Sequence, residues 1–308
     1  MFFTHQRLNV KHATKHLKTD SFFIHNSSCN KENPENYSFP DSSFNNWLNG
    51  ITDGDGSFSF SINKKKNSIW NCTFKIAQST YNLRLLYYIK KNLKYGSVNL
   101  KSGKNMAEFR IRDRKILLNV VVPIFTHFFL YSTKQFYFSR WVKALHVLEN
   151  NTYTTSEKNE ILTKLKQEMP ADTYISPAWE KSVPSDEWIY GFIEAEASFF
   201  IVNKDKKATR MVHSFGITQK LDKIILDFLH KKFHISSKIL HTKRNIYKLE
   251  TTNSRSILKI QKFFLNKLKG IKSLEYKIWA RSFHYKKDNE KLLKIQNQLQ
   301  KLRNKVKL

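Results

Sequence analysis

Trp47-Leu48-Asn49-Gly50-Ile51-Thr52-Asp53-Gly54-Asp55-Gly56-Ser57-Phe58 is the stretch whose reading decides the fold. Its left half reads as a short helix with small residues at Gly50 and Gly54, four apart. Residues at that spacing share a helix face, so this face can press closely on another backbone. Asp55 falls where the helix ends. Gly56 is expected to stop the helix in the left-handed conformation that glycine adopts at little cost. Ser57-Phe58-Ser59-Phe60-Ser61-Ile62 then alternates polar and apolar residues, the pattern of a half-buried strand.

The stretch occurs twice. Trp188-Ile189-Tyr190-Gly191-Phe192-Ile193-Glu194-Ala195-Glu196-Ala197-Ser198-Phe199 matches it position by position, 141 residues downstream. Gly50 pairs with Gly191, Asp53 with Glu194, Asp55 with Glu196 and Phe58 with Phe199. The same offset pairs Phe74-Lys75-Ile76-Ala77-Gln78 with Phe215-Gly216-Ile217-Thr218-Gln219. With a three-residue deletion, Lys134 pairs with Lys272 and Trp141 with Trp279. Agreement at separated landmarks marks an internal duplication, which sets the fold class before any local detail.

The chain has 308 residues, 40% hydrophobic and 14% aromatic, enough for one large domain or two ordinary ones with a sizeable core. Its formal net charge is +29. Such a charge on a folded chain points to a polyanionic partner, nucleic acid or an anionic membrane. Cys29 and Cys72, the two cysteines, form no CxxC pair, which argues against a zinc site or a disulfide framework. The apolar run Ile116–Tyr131 holds Asn119, Pro123 and His127 and is shorter than the roughly 20 residues of a spanning helix. It reads as a buried helix, and no membrane partner is expected.

Five segments follow. Residues 1–40 are a basic, acid-poor leader, read as disordered, as a transit peptide or as the remnant of a fused upstream frame. Residues 41–145 form the first repeat, with strands near 57–63, 70–77, 96–101 and 106–112 and helices at 81–93, at 115–130 and around Trp141. Residues 146–185, punctuated by Pro170, Pro177 and Pro184, read as a linker with a short helix at 157–168. Residues 186–283 form the second repeat. Residues 284–308 carry Leu292, Ile295, Leu299, Leu302 and Val306 at steps of three and four, an amphipathic helix with a basic outer face.

The paired stretches resemble the LAGLIDADG motif, and residues 41–283 resemble a two-repeat, single-chain LAGLIDADG homing endonuclease. The resemblance implies an α+β fold of two pseudo-symmetric αββαββα repeats. Their motif helices would pack side by side, and their antiparallel four-stranded sheets would form a saddle in the DNA major groove. It implies a monomer that hydrolyses both strands of a long, pseudo-palindromic site. Rival readings are an RNA maturase that assists splicing of its host intron and a DNA-binding relative without catalysis. The AT-like composition and the family's occurrence in organelle introns favour the mitochondrion, with the chloroplast as the alternative.

The residues themselves support a site. Gly50 and Gly54 facing Gly191 and Ala195 would let the helices approach, bringing Asp55 and Glu196 together. Adjacent carboxylates resist joint ionisation, and a divalent metal removes the conflict. An oxygen ligand set completed by water and phosphate suits Mg²⁺, with Mn²⁺ as the alternative ion. By resemblance, Gln78 and Gln219 hold water near the metals, and Lys134 and Lys272 are basic active-site positions. Strand alternation puts both glutamines on the core side, so each is expected at a strand end or at an irregularity in the strand. Asp53 and Glu194 are expected to make structural hydrogen bonds. Ala197, where the family has glycine, is expected to be strained in a left-handed cap and to disturb Glu196. The outer strand faces are expected to read DNA through Ser57, Ser59, Ser61, Lys75, Asn99, Lys101, Arg110 and Arg112. Their second-repeat counterparts would be Lys204, Lys238 and Lys248.

Overall fold

The computed structural model describes residues 40–63, 69–205, 210–242 and 245–306, all within one unit. Apart from Pro40, the expected leader lies outside the described residues. Chain order begins α1 (Ser42–Asp55), β1 (Gly56–Asn63), β2 (Ile69–Ser79), α2 (Leu83–Leu93), β3 (Ser97–Leu100) and β4 (Met106–Ile111). A helical run follows, α3 (Arg114–Ile116) and α4 (Val122–His127), joined by a π turn at Leu117–Val121. Pro123 has no N–H to give the residue four back, and the wide turn just before it absorbs that lost bond. α5 (Lys134–Glu149) completes this half. Two helices, α6 (Thr155–Gln167) and α7 (Ala178–Lys181), precede the second motif. The second half repeats the plan with α8 (Asp186–Glu196), β5 (Ala197–Asn203), β6 (Met211–Lys220), α9 (Lys223–Lys232), β7 (Leu240–Thr242), β8 (Ile246–Thr251), α10 (Ser254–Phe263) and α11 (Ile271–Arg281). α12 (Asn289–Val306) ends the described chain. Among the described residues no helix is long and apolar enough to cross a membrane.

Two four-stranded antiparallel sheets result, ordered β1-β2-β4-β3 and β5-β6-β8-β7. The alternation at 57–62 works as read: Phe58 and Phe60 are buried, while Ser59 and Ser61 are exposed. On the inner face of the first sheet, Phe58 packs against Phe74, Phe125, Phe138 and Trp141, with ring centroids 5.1 to 5.3 Å apart. Phe199 packs in the same way against Phe215, Phe264, Tyr276 and Trp279 at 5.2 to 5.8 Å. These rings are counterparts, so each half is held by one aromatic cluster repeated.

Two segments do more than the sequence suggested. α6 is no loose linker: a Thr154–Glu157 capping box starts it, and Leu162 and Leu165 join the first core. Asn159 Oδ1 accepts from Trp70 Nε1 at 2.7 Å. α12 runs along β5, burying Leu292 and Leu299, and Gln296 donates to the Ile201 carbonyl at 2.8 Å. Its last turn carries Arg303 over the Phe200 ring and reaches the first repeat, where Asn105 donates to the Lys305 carbonyl at 3.3 Å.

α1 and α8 lie between the halves. Nearly every residue of α1 from Phe44 to Asp53 is buried, so this helix is a wedge rather than a surface element. A Cβ built on Gly50 would stand 2.0 Å from the Trp188 carbonyl oxygen, and one on Gly191 2.0 Å from that of Trp47. Backbone therefore meets backbone at both positions, and a side chain at either would force the halves apart.

Candidate active site at the feet of the motif helices

The helices end in step. Gly56 N–H still donates to Thr52 O and Ala197 N–H to Ile193 O, after which the chain goes straight into strand. Gly56 has φ −76° and ψ 159°, and Ala197 has φ −92° and ψ 163°. The left-handed cap expected at Gly56 is absent, and so is the strain expected at Ala197. Extended backbone suits any residue. The glycine at 56 has a different cause: a Cβ there would lie 2.5 Å from Thr52 Cγ2 and 2.8 Å from its backbone. At the second foot the residue four back is Ile193, and Ala197 is accommodated, buried in the core.

The small residues bring the acids together. A Cβ on Gly54 would lie 2.2 Å from Ala195 Cβ and 3.6 Å from Glu196 Oε1, so the Glu196 carboxylate rests beside the residue that precedes Asp55. Burial raises the Asp55 pKa, opposed by the charge of Lys134, a hydrogen bond from Gln78 and the charge of Lys272. Burial, then the neighbouring Asp55 charge, pushes Glu196 up to about 7. The pair is thus a site of concentrated, poorly solvated negative charge.

The glutamines stand where alternation required, on the inner side and next to last in β2 and β6. Gln78 Nε2 donates to Asp55 Oδ2 at 2.6 Å, and its Oε1 accepts from Asn82 at 2.9 Å. Gln219 lines a cavity of about 450 Å³ with Glu196, Lys134, Thr133, Tyr137 and Asp222.

The two lysines are placed differently. Lys134 Nζ donates to the Thr52 carbonyl at 3.0 Å and to that of Gly54, which caps the negative end of α1. Burial holds its ammonium below the usual lysine range against the pull of Asp55, Asp53, Glu196 and Asp222. Lys272 Nζ instead pairs with Glu275 Oε2 at 3.1 Å, and Glu275 Oε1 accepts from the Phe199 amide at 2.8 Å.

Asp53 and Glu194 hold the loops that lead into the helices carrying those lysines. Asp53 accepts from the amides of Tyr131 and Ser132 at 2.9 and 3.0 Å, from Ser132 Oγ, and across the interface from Trp188 Nε1 at 2.8 Å. Glu194 accepts from the amides of Lys269 and Gly270. Asp222, overlooked in the sequence, completes the first of these loops. Its Oδ1 accepts from Thr133 N at 2.7 Å and Thr133 Oγ1 at 2.6 Å. Burial raises its pKa to about 6, opposed by those two bonds. The signal was a carboxylate three residues after Gln219, where the first repeat has Tyr81.

Outer-face positions form a row: Ser57 pairs with Lys75, which pairs with Arg110. Asn99 lies opposite Glu108, which salt-bridges both Lys101 and Arg110 at 3.1 Å. Lys248 is bridged to Glu250 at 2.5 Å. Lys101, Arg112, Lys204 and Lys238 fall just outside the strands: β3, β4 and β5 end on the residue before the first three, and β7 starts two residues after Lys238. Glu108 and Glu250 were missed, since a search for basic side chains passes over acids that hold them.

Comparison with known proteins supplies the family. The LAGLIDADG endonuclease profile matches residues 48–145 and 189–283. The chain belongs to this family. A protein of Schizosaccharomyces pombe, "Probable intron-encoded endonuclease Cox1-I1b", is 38% identical over 272 residues, covering 85% of this chain and 70% of that protein. "Probable intron-encoded endonuclease aI3" of Dictyostelium citrinum is 25% identical, covering 71% of this chain and 86% of that one. Among solved structures, the LAGLIDADG meganuclease I-AabMI bound to uncleaved DNA superposes with a TM-score of 0.69. It is 22% identical and covers 86% of this chain and 98% of its own. I-SmaMI bound to its uncleaved DNA target in the presence of calcium ions gives 0.71 at 21% identity, covering 84% and 97%. The family assigns the chain to the site-specific, divalent-metal-dependent DNA endonucleases.

The residues fit such a metal. Asp55 and Glu196 offer hard oxygen donors. Among the described residues no cluster of three or more His, Cys, Asp or Glu is arranged to hold an ion. The remaining ligands would come from water and phosphate, as Mg²⁺ and Ca²⁺ accept.

Proposed function

We propose that the chain cuts both strands of a long, pseudo-palindromic DNA site with Mg²⁺ held by Asp55 and Glu196, Mn²⁺ being the alternative ion. The observation that carries this reading is the Glu196 carboxylate resting beside Gly54, next to Asp55. A divalent ion bound there supplies charge for the developing alkoxide and acidity for the attacking water. Phosphate oxygens entering the site replace the solvation that both acids have lost. Gln78, through its bond to Asp55, orients that carboxylate, and Gln219 serves the Glu196 side. Lys134 and Lys272 lend positive charge to the scissile phosphates. The duplex lies along the outer faces of the two sheets. Ser59, Ser61, Lys75, Asn99 and Arg110 contact it in the first half and Lys248 in the second, with Lys101, Arg112, Lys204 and Lys238 at the flanks; the Ser57 hydroxyl, expected to join them, is buried beneath this surface. The protein acts as a monomer, since one chain supplies both motif helices and both sheets.

The relatives named for cox1 introns and for a mitochondrial product support a mitochondrial location. The test uses purified protein with DNA spanning an uninterrupted copy of the host locus. Mg²⁺ should give a double-strand cut and EDTA none. Asp55→Asn should abolish the cut yet bind the same duplex in Ca²⁺. A cut that persists in Asp55→Asn, or one independent of metal, would overturn the assignment. Help in splicing a host intron RNA would survive Asp55→Asn, which separates that activity from cleavage.

A further inference from the structure

Each active-site lysine follows a loop clamped from two sides. Asp53 holds residues 131 and 132, and Glu194 holds residues 269 and 270. The outer clamps differ. Before Lys272, the Ile271 amide donates to the neutral Asn82 Oδ1 at 2.8 Å. Before Lys134, the Thr133 amide and hydroxyl both donate to the Asp222 carboxylate, at 2.7 and 2.6 Å. Thr133 is the cap residue of α5, yet its hydroxyl makes no bond within that helix. It is committed to Asp222. Hydrogen bonds to a charged acceptor are the stronger kind, so the loop before Lys134 is the more tightly held.

The turn that delivers Asp222 is itself unusual. Leu221 has φ +72°, the left-handed region that a residue with a Cβ enters reluctantly, and its amide donates to the Asn245 carbonyl at 3.0 Å. The matching turn, a 3₁₀ turn at Thr80–Asn82, has no positive φ. A constrained backbone therefore aims a carboxylate at one lysine loop and not at the other. Beyond the clamps, Lys272 is paired with Glu275, whereas Lys134 reaches the carbonyls at the end of α1. Position 137, which matches Glu275, is Tyr137.

We propose that Asp222 is the positioning residue for Lys134 and that this latch makes the two strands of the target unequal in cleavage rate. The inference rests on the assignment of Lys134 to the active site. Asp222 acts through Thr133: two bonds to one oxygen fix the first turn of α5 and with it the direction of the lysine side chain. A displacement of about 1 Å at such a group slows reaction by up to roughly 100-fold.

Single-turnover cleavage of a duplex labelled on either strand reads this directly. Lys134→Ala identifies the strand that depends on Lys134. Asp222→Ala should slow that same strand by about 10- to 100-fold, and the other by less than about threefold, so that nicked product accumulates. Affinity for the duplex in Ca²⁺ should hold. Asp222→Asn keeps Oδ1 as an acceptor and should recover most of the rate. Thr133→Val removes one bond of the two and should slow the same strand less. Equal slowing of both strands, or slowing of the strand that Lys134→Ala spares, would overturn the inference. If the wild-type chain makes no cut, the catalytic assignment has failed and the strand inference falls with it. The latch is then read alone by hydrogen exchange. Thr133 amide protection lost in Asp222→Ala upholds the clamp; protection retained removes it as well.

Discussion

The two repeats agree where they pack and differ where they would meet DNA. The rings around Phe58 and Phe199 are the same cluster twice. The outer faces are not. Glu108 lies opposite Ala77 and Arg110 opposite Lys75 in the first sheet. At the corresponding places Lys248 lies opposite Thr218 and Glu250 opposite Gly216 in the second. The order of charges is reversed, and Lys75 is matched by glycine. Packing constrains a duplicated core to one solution, since a cavity or an overpacked ring costs kilocalories. The paired charges of the outer faces fill no ring cluster and are under no such constraint; in the proposed function they follow the bases of each half-site. This favours half-sites that differ, a pseudo-palindrome.

The interface of α1 and α8 shows the same division on a smaller scale. Trp188 Nε1 bonds Asp53, while its counterpart Trp47 Nε1 and, separately, Glu194 Oε2 are each buried without a partner among the described residues. Glutamate reaches one methylene further than aspartate, and Glu194 spends its bonds on the loop before α11 through the other oxygen. An unmet buried polar group costs about 1–3 kcal/mol.

The largest effects should come from breaking what the halves share. Gly50→Val or Gly191→Val places a side chain where 2.0 Å separates a Cβ from a carbonyl oxygen. Backbone cannot give way there as a flexible side chain would. Each variant should lose more than about 4 kcal/mol, at the extreme of single substitutions, read as loss of a cooperative unfolding transition. A transition within 1 kcal/mol of wild type would break the claim that the helices meet backbone to backbone. Phe58→Ala and Phe199→Ala should each cost about 3–5 kcal/mol in urea unfolding, and by similar amounts. A difference between them above about 2 kcal/mol would show that the two clusters are alike in outline only.

How far the sequence reached follows the same line. Paired Trp, Gly, acid and Phe landmarks were enough for the helix pair, both sheets and the meeting of Asp55 with Glu196, because those features repeat and repetition is visible. Asp222 was hidden because its role depends on a left-handed Leu221 and on a loop more than eighty residues earlier in the chain, and neither leaves a local pattern. The reason for Gly56 was hidden because Thr52 crowds it from the preceding turn, while a glycine at a helix end reads equally well as a left-handed stop.

A middle-sized effect tests the charge at the feet. Glu196 titrates near 7 in the folded chain against an ordinary value of 4.5. The folded state therefore binds the proton more tightly than the unfolded one. Without metal, stability should fall as pH rises from about 4.5 through about 7, by roughly 3 kcal/mol for this group. Glu196→Gln should flatten that part of the profile. Mg²⁺ binds the ionised form, so it should raise the melting temperature more at pH 8 than at pH 5. A metal-free profile that rises with pH over this window, and is unchanged in Glu196→Gln, would mean that the carboxylate is well solvated.

The smallest effect separates the two feet. Gly56→Ala adds a Cβ 2.5 Å from a methyl group and 2.8 Å from the backbone of Thr52, and nothing flexible except that methyl can yield. It should cost about 1–3 kcal/mol, as overpacking does. Ala197→Gly leaves φ −92° and ψ 163° available, removes one buried methyl and frees the unfolded chain, so it should cost about 1 kcal/mol. Under a left-handed cap at either foot, alanine would be the strained residue and Ala197→Gly would stabilise. Chemical unfolding of the two variants decides between these accounts by sign alone. A stabilised Ala197→Gly would restore the cap that the sequence suggested and would imply that Glu196 leaves its helix by a different path from Asp55. Destabilisation of both variants, larger at Gly56, is the outcome required if both helices end by running straight into their strands and Thr52 alone keeps position 56 a glycine.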